Sequence, residues 1–280
     1  VAFFVVERRK MATIATSLPI RLHAPPTSGP LLIATDEPGP VRAERLESGS
    51  PFVLTVDHAS CAVPRSLAAL GLPDAELRRH IGWDLGIADV AMRLSAMLDA
   101  ALFMQSWSRL VIDCNRPLHA ADSIATVSDG TVIPGNAAIT AEEAGRRRDA
   151  IFVPYHAAIA ALLDARQARG QPSVLIALHS FTPVWQGRAR PWCAGVLFGR
   201  DARLATRLGA ALAAESGLVI GSNQPYDVSD ATDYAIPVHG EQRGLLHVEL
   251  EIRQDQIADA ASQQRWAALL ARLLPPLLDA

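Results

Sequence analysis

The chain has 280 residues, half of them hydrophobic and 20% charged, with a formal net charge of −3. That length suffices for one large domain or two small ones, and the composition argues against a disordered chain. No basic run dominates, so a nucleic-acid partner is not expected. No apolar stretch reaches the roughly 18 residues that span a membrane.

Residues 1–50 are rich in Pro, Gly and Ser and read as an N-terminal arm on a single unit spanning 51–280. In Val1–Lys10 the apolar residues precede Arg8-Arg9-Lys10, the wrong order for a secretory signal, and Met11 offers a second candidate start. Leu31–Ala34 is a short strand candidate. From Pro51 onward, strands and helices alternate. Phe52–Asp57 reads as a buried strand. Asp74–Arg79 and Leu85–Leu98 read as helices, the second with Ile87, Val90, Ala91, Leu94, Met97 and Leu98 on one stripe. Ala101–Gln105 and Leu110–Asp113 are expected to be strands. Residues 117–139 form a long loop with turn signals at Asp129-Gly130 and Pro134-Gly135-Asn136.

Thr140, with Glu143 three residues on, fits a capping box that opens a helix running to Arg169 and stopping at Gly170. Pro154 is expected to kink or split that helix. Arg146-Arg147-Arg148 is expected on its solvated face. Strands are expected at Val174–Leu178, Gly195–Phe198, Leu218–Ile220 and His247–Ile252. Helices are expected over Ala202–Glu215 and from the last strand to Pro275-Pro276. This alternation predicts an α/β fold of three layers, α/β/α, around a mostly parallel central sheet.

Reactive groups cluster where apolar runs end. Phe52–Val56 runs into Asp57-His58-Ala59-Ser60, Leu110–Ile112 into Asp113-Cys114-Asn115-Arg116, and Val174–Leu178 into His179-Ser180. In the last strand His247, Glu249, Glu251 and Arg253 alternate with Val248, Leu250 and Ile252, so one face is polar. Such a face either lies at a sheet edge or lines a site. Open α/β sheets bind ligands beyond the carboxyl ends of their strands, so these endings suggest one shared site.

His58 and His179 are the foremost metal-ligand candidates, because imidazole binds zinc and a catalytic zinc keeps three protein ligands. Asp84 suits a third ligand, and it equally suits the N-cap of the helix that follows. The pattern alone leaves both roles open. His80, His119, His156, His239 and His247 are expected to be structural. A Ser60 or Cys61 nucleophile beside His58 is disfavoured, because residues two or three apart on one loop rarely reach the required geometry. Asn115 and Arg116 follow a strand, and Arg188 and Arg190 lie in a basic loop. Each guanidinium suits a substrate carboxylate or an internal ion pair. Cys61, Cys114 and Cys193 form no C-x-x-C pair, which suits a reducing, cytoplasmic setting. The sequence carries no signal for an oligomeric state.

Several runs together resemble the N-formylglutamate amidohydrolase family. They are Asp57–Ser60, His80–Gly86, Ser108–Pro117, Ile133–Asn136, Pro154-Tyr155-His156, Leu178–Pro183 and Glu251–Asp255. The resemblance covers about residues 51–260 in order. It implies a zinc-dependent hydrolase whose α/β fold is akin to zinc exopeptidases and amidases. It also implies cleavage of N-formyl-L-glutamate to formate and glutamate, a step in histidine breakdown. Carried over, it makes His58, Asp84 and His179 the Zn2+ ligands, favouring the ligand role for Asp84 over the cap. Glu251 matches the Glu of the family's Glu-Ile-Arg motif, and because it lies nearer the carboxyl end of its strand than Glu249, Glu251 and not Glu249 is expected to be the general acid/base. A small acidic N-acyl amino acid then needs a cationic partner, and at least one of Arg116, Arg188, Arg190 and Arg253 is expected to supply it, with Asn115 beside Arg116. Cys61 departs from the small polar residue expected at its position. The alternatives are a related zinc carboxypeptidase or N-acyl amino acid deacylase, or a non-enzymatic binding protein that retains the fold.

Overall fold

The computed structural model describes residues 31–278. Met11 and the segment before it lie outside the described residues. The first strands are β1 (Val41–Glu44), β2 (Phe52–Val56), β3 (Ala101–Gln105), β4 (Val127–Ser128) and β5 (Thr131–Val132). Then come β6 (Val174–Phe181), β7 (Val184–Trp185), β8 (Arg188–Ala189), β9 (Ala194–Leu197), β10 (Ile220–Ser222) and β11 (Leu246–Arg253). The α-helices are α1 (Asp74–Leu77), α2 (Ile87–Leu98), α3 (Ala141–Arg147), α4 (Val153–Ala168), α5 (Arg203–Ala213) and α6 (Ala260–Leu273).

A seven-stranded sheet runs β1-β3-β2-β6-β11-β9-β10. The central strands β3, β2, β6 and β11 are mutually parallel. β1 joins β3 antiparallel, β9 joins β11 antiparallel, and β10 runs parallel to β9. The sheet is thus mostly parallel, with reversed strands at both edges. Because side chains alternate across a strand, each central strand feeds two cores. Phe52, Leu54, Ile176, Leu178, Val248 and Leu250 pack with α2, α5 and α6 on one face. Val53, Leu175 and Ala177 pack with Tyr155, Ile159 and Leu163 of α4 on the other. This is the expected α/β/α arrangement. No helix among the described residues is long and apolar enough to cross a membrane.

Local departures from the sequence reading have physical causes. Leu31–Ala34 is not a strand; the edge strand is β1, whose half-exposed residues show no apolar alternation. Leu110–Asp113 is buried but is not a strand. Its backbone is satisfied by side chains and loop instead: Asn136 donates to the Leu110 carbonyl, Arg147 to that of Val111, and the Asp113 amide donates to Ser123. Arg147 is therefore a buried brace (1% exposed), not part of a solvated face. Thr140 accepts from the Glu143 amide as expected, but the Glu143 carboxylate turns to Arg146 and Arg147, so only half the capping box forms. Around Pro154 the chain adopts a π-helical segment, Arg148–Phe152, and the helix continues unbroken from α3 through it into α4, so the helix is not split and a π turn directly precedes the proline's turn. β6 extends to Phe181, three residues past its expected end, and β10 begins at Ile220.

Candidate metal centre

The carboxyl ends of β2 and β6 set two imidazoles side by side. His58 follows β2, and His179 lies near the end of β6, with ring centroids 4.9 Å apart. Asp84 reaches them from the turn before α2, where its amide donates to the His58 carbonyl at 3.0 Å. Gly86, not Asp84, occupies the N-cap of α2, with φ +79, and the Asp84 side chain caps nothing. Its Oδ2 instead lies 3.4 Å from His58 Nδ1 and 3.0 Å from His179 Nδ1, and it accepts from the Ser180 amide at 3.2 Å. One atom from each of His58, Asp84 and His179 falls within 4.8 Å of the others, and all three residues are buried.

The opposite ring nitrogens face different carboxylates. His58 Nε2 is 2.7 Å from Asp113 Oδ1. Arg109 donates twice to Asp113 Oδ2, and its Nη1 is 3.6 Å from Asp84 Oδ1. His179 Nε2 is 3.7 Å from Asp57 Oδ2, while the Tyr155 hydroxyl donates to Asp57 Oδ1 at 2.6 Å.

Burial works against every one of these charges, and the neighbours outweigh it for some. Burial alone would raise Asp84, yet His58 and His179 hold it far below the usual carboxylate range. Asp113 is likewise held low by Arg109 and His58. Burial would depress His179, but Glu249, Asp57 and Asp84 keep it well above an ordinary imidazole. Glu249 and Glu251 behave oppositely. Burial pushes Glu249 up to about 8 and Glu251 up to about 7, against the pull of His179. Two imidazole Nδ1 atoms and one carboxylate, set among surplus buried carboxylates, form a donor set that fits a divalent ion of the zinc type.

The group lies in a cavity of about 460 Å3 that is also lined by Arg109, Asn115, Arg116, Asp233, Glu249 and Glu251. β11 lies inside the sheet, between β6 and β9, so its polar face is not a solvated edge, and Glu249 and Glu251 of that face line the cavity. Glu249 Oε2 accepts from Asn115 at 3.4 Å, whereas Glu251 Oε2 is buried without a partner. Asn115 also accepts the Tyr234 and Ala235 amides, which pins the segment carrying Asp233.

Of the arginines expected at a substrate, Arg116 lines the cavity and pairs with Asp122. The other three do not line it. Arg188 is exposed on the short β7–β8 hairpin. Arg253 is taken up by Asp255 and the Arg190 carbonyl. Arg190 stacks against Phe181, Trp185 and Tyr226 and donates to the Tyr226 hydroxyl. Cys61 is likewise outside the lining. Arg109 lies in the site without being among the arginines expected there. It sits in the same Ser108–Pro117 run as Arg116, and its spacing of four from Asp113 was the available signal.

The fold and this His/Asp/His group define an α/β protein with a hydrolase-like cleft at the strand ends. The N-formylglutamate amidohydrolase family model matches residues 50–258, and the chain belongs to that family. Among solved structures, the gene product Atu2144 from Agrobacterium tumefaciens is 34% identical, with a TM-score of 0.86 over 89% of this chain and 98% of that one. The N-formylglutamate amidohydrolase from Ralstonia eutropha JMP134 is 17% identical, with a TM-score of 0.59 over 86% of this chain and 99% of that one. The second likeness bears on the fold alone. No curated protein matches the chain significantly.

Proposed function

We propose that this chain is a zinc-dependent amidohydrolase. Its proposed reaction cleaves the formyl amide of N-formyl-L-glutamate, or of a similar N-acyl acidic amino acid, to formate and L-glutamate in the cytoplasm. The observation that carries the reading is the convergence of His58 Nδ1, His179 Nδ1 and Asp84 Oδ2 beside an unpaired buried oxygen of Glu251. Bound zinc supplies a Lewis acid and lowers the pKa of water toward neutrality.

Glu251 is the general acid/base. Burial raises its pKa to about 7, which suits both taking and giving a proton near neutral pH. It accepts a proton from the attacking water and returns it to the departing glutamate nitrogen. A C–O bond forms at the formyl carbon as the C–N bond breaks. Arg116 and Asn115 line the cavity and are the proposed partners of a substrate carboxylate.

A second reading keeps the chemistry and changes the substrate. Asp84, Asp113, Asp122, Asp129, Asp227 and Asp233 line the cavity beside Glu249 and Glu251, whose pKa values burial raises, and the arginines of the lining, Arg109 and Arg116, already meet carboxylates. That charge balance favours an N-acyl substrate with less negative charge than formylglutamate. The test is a substrate panel with zinc added: formyl-Glu, formyl-Asp, acetyl-Glu, neutral formyl-amino acids and short peptides. Highest kcat/KM on formyl-Glu supports the first reading, and preference for a neutral substrate supports the second. Turnover of none would contradict both.

A further inference from the structure

The reaction leaves Asp57 and Tyr155 unused, although each stands in a motif of the family-like pattern. Neither lines the cavity. Asp57 is 1% exposed and Tyr155 is fully buried on α4, in the layer beneath the polar face of the sheet. They are joined to the candidate centre in series. The Tyr155 hydroxyl donates to Asp57 Oδ1 at 2.6 Å, and Asp57 Oδ2 faces His179 Nε2 at 3.7 Å. Asp57 Oδ2 and His179 Nε2 are both buried, and neither has any hydrogen-bond partner.

The chemistry of an imidazole ligand makes this more than a core contact. A neutral histidine that ligates through Nδ1 carries its proton on Nε2, and that proton needs an acceptor. His179 turns Nδ1 toward Asp84 and Nε2 toward Asp57. His58 repeats the arrangement, with Nδ1 toward Asp84 and Nε2 toward Asp113. Each acceptor carboxylate is in turn held by its own donor, Tyr155 for Asp57 and Arg109 for Asp113. A carboxylate behind a ligating histidine fixes its tautomer and ring angle and raises its basicity.

Resting on the metal reading above, we propose that Asp57 and Tyr155 are positioning residues of the metal centre. Asp57 accepts a hydrogen bond from the Nε2–H of His179, and Tyr155 holds Asp57 in the orientation that does so. Tyr155 thereby tunes metal affinity from a helix that touches neither metal nor substrate. Burial and the adjoining Asp57 raise the Tyr155 phenol well above its ordinary value, so it stays protonated and remains a donor.

The experiment measures the zinc dissociation constant by chelator competition for the parent, Tyr155→Phe and Asp57→Asn, alongside thermal unfolding of the metal-free proteins. The expected result is zinc affinity lower by about 10- to 100-fold in Asp57→Asn and in the same direction in Tyr155→Phe. If Asp57→Asn does not fold, Tyr155→Phe decides. A variant that melts earlier without metal yet binds zinc within about twofold of the parent would make the contact a structural brace and overturn the inference. A parent that binds no zinc would overturn the metal reading itself, which is a separate outcome.

Discussion

His179 and Glu251 are Cα partners in the parallel register between β6 and β11. The backbone ladder therefore sets a candidate ligand and the candidate acid/base side by side, on the same face of adjacent strands. Glu249 is one step back along that face, beside Asn115 and Asp233.

That relationship separates the two glutamates. Glu251→Gln should lower kcat by about 10²-fold or more while zinc stays bound. Glu249→Gln should cost less, because its carboxylate faces Asn115 and is farther from the ligand end of the strand. Turnover numbers for both variants at matched zinc content check this. Near-parent kcat in Glu251→Gln with collapse in Glu249→Gln would reverse the roles.

The arginines divide by position. Arg116→Ala should reduce kcat/KM for an acidic substrate far more than for its amide analogue, by roughly tenfold or more if a charge-assisted contact is lost. Arg188→Ala and Arg253→Ala should leave both values near the parent, since neither lines the cavity. Steady-state kinetics on the acid and amide pair give the answer. A selective loss in Arg188→Ala would move the carboxylate subsite to the hairpin.

Much of the fold was legible because it rests on apolar periodicity. The fully buried strands β2, β3 and β6 and the striped helix α2 follow directly from their runs. Leu110–Asp113 departs from its expected strand for the same reason: it is as apolar as a strand, but its partners are the side chains of Asn136 and Arg147, distant in sequence. In the candidate site, the histidines and Glu251 were visible as polar residues ending or interrupting apolar runs. The Asp84 pattern suited a cap as well as a ligand, and only the positive φ of Gly86 and the turn of the carboxylate toward the histidines separate the two. The link between Tyr155 and Asp57 is hidden, because a pairing across 98 residues leaves no local pattern, whereas the Arg109–Asp113 pair carries a local spacing of four.

Arg147 supplies a stability prediction. It donates to the Val111 carbonyl, the Asn136 side chain and the Gly135 carbonyl. Arg147→Ala should destabilise the protein by about 2–4 kcal/mol, because it strands buried acceptors that support the loop carrying Asp113. Urea unfolding measures this. A loss under about 0.5 kcal/mol would place Arg147 with ordinary surface residues.

Glu249 supplies a pH dependence. Its folded pKa is raised to about 8 from the ordinary 4.5, chiefly by burial. Between those values the folded protein holds a proton that the unfolded chain releases, so this group costs stability as pH rises through the window. Gln cannot ionise. The stability gain of metal-free Glu249→Gln over the parent should therefore grow from near pH 5 to near pH 8. A constant or shrinking gain in paired urea titrations would contradict the assignment.

The central claim is that His58, Asp84 and His179 hold one zinc on which hydrolysis depends. The most direct measurement is zinc content per chain, with activity on formyl-Glu, for the parent, His179→Ala and Asp84→Asn. The account predicts one zinc per parent chain, activity lost to a chelator and restored by zinc, and little zinc in either variant. Full zinc occupancy in His179→Ala and Asp84→Asn, or parent activity indifferent to chelation, would contradict it.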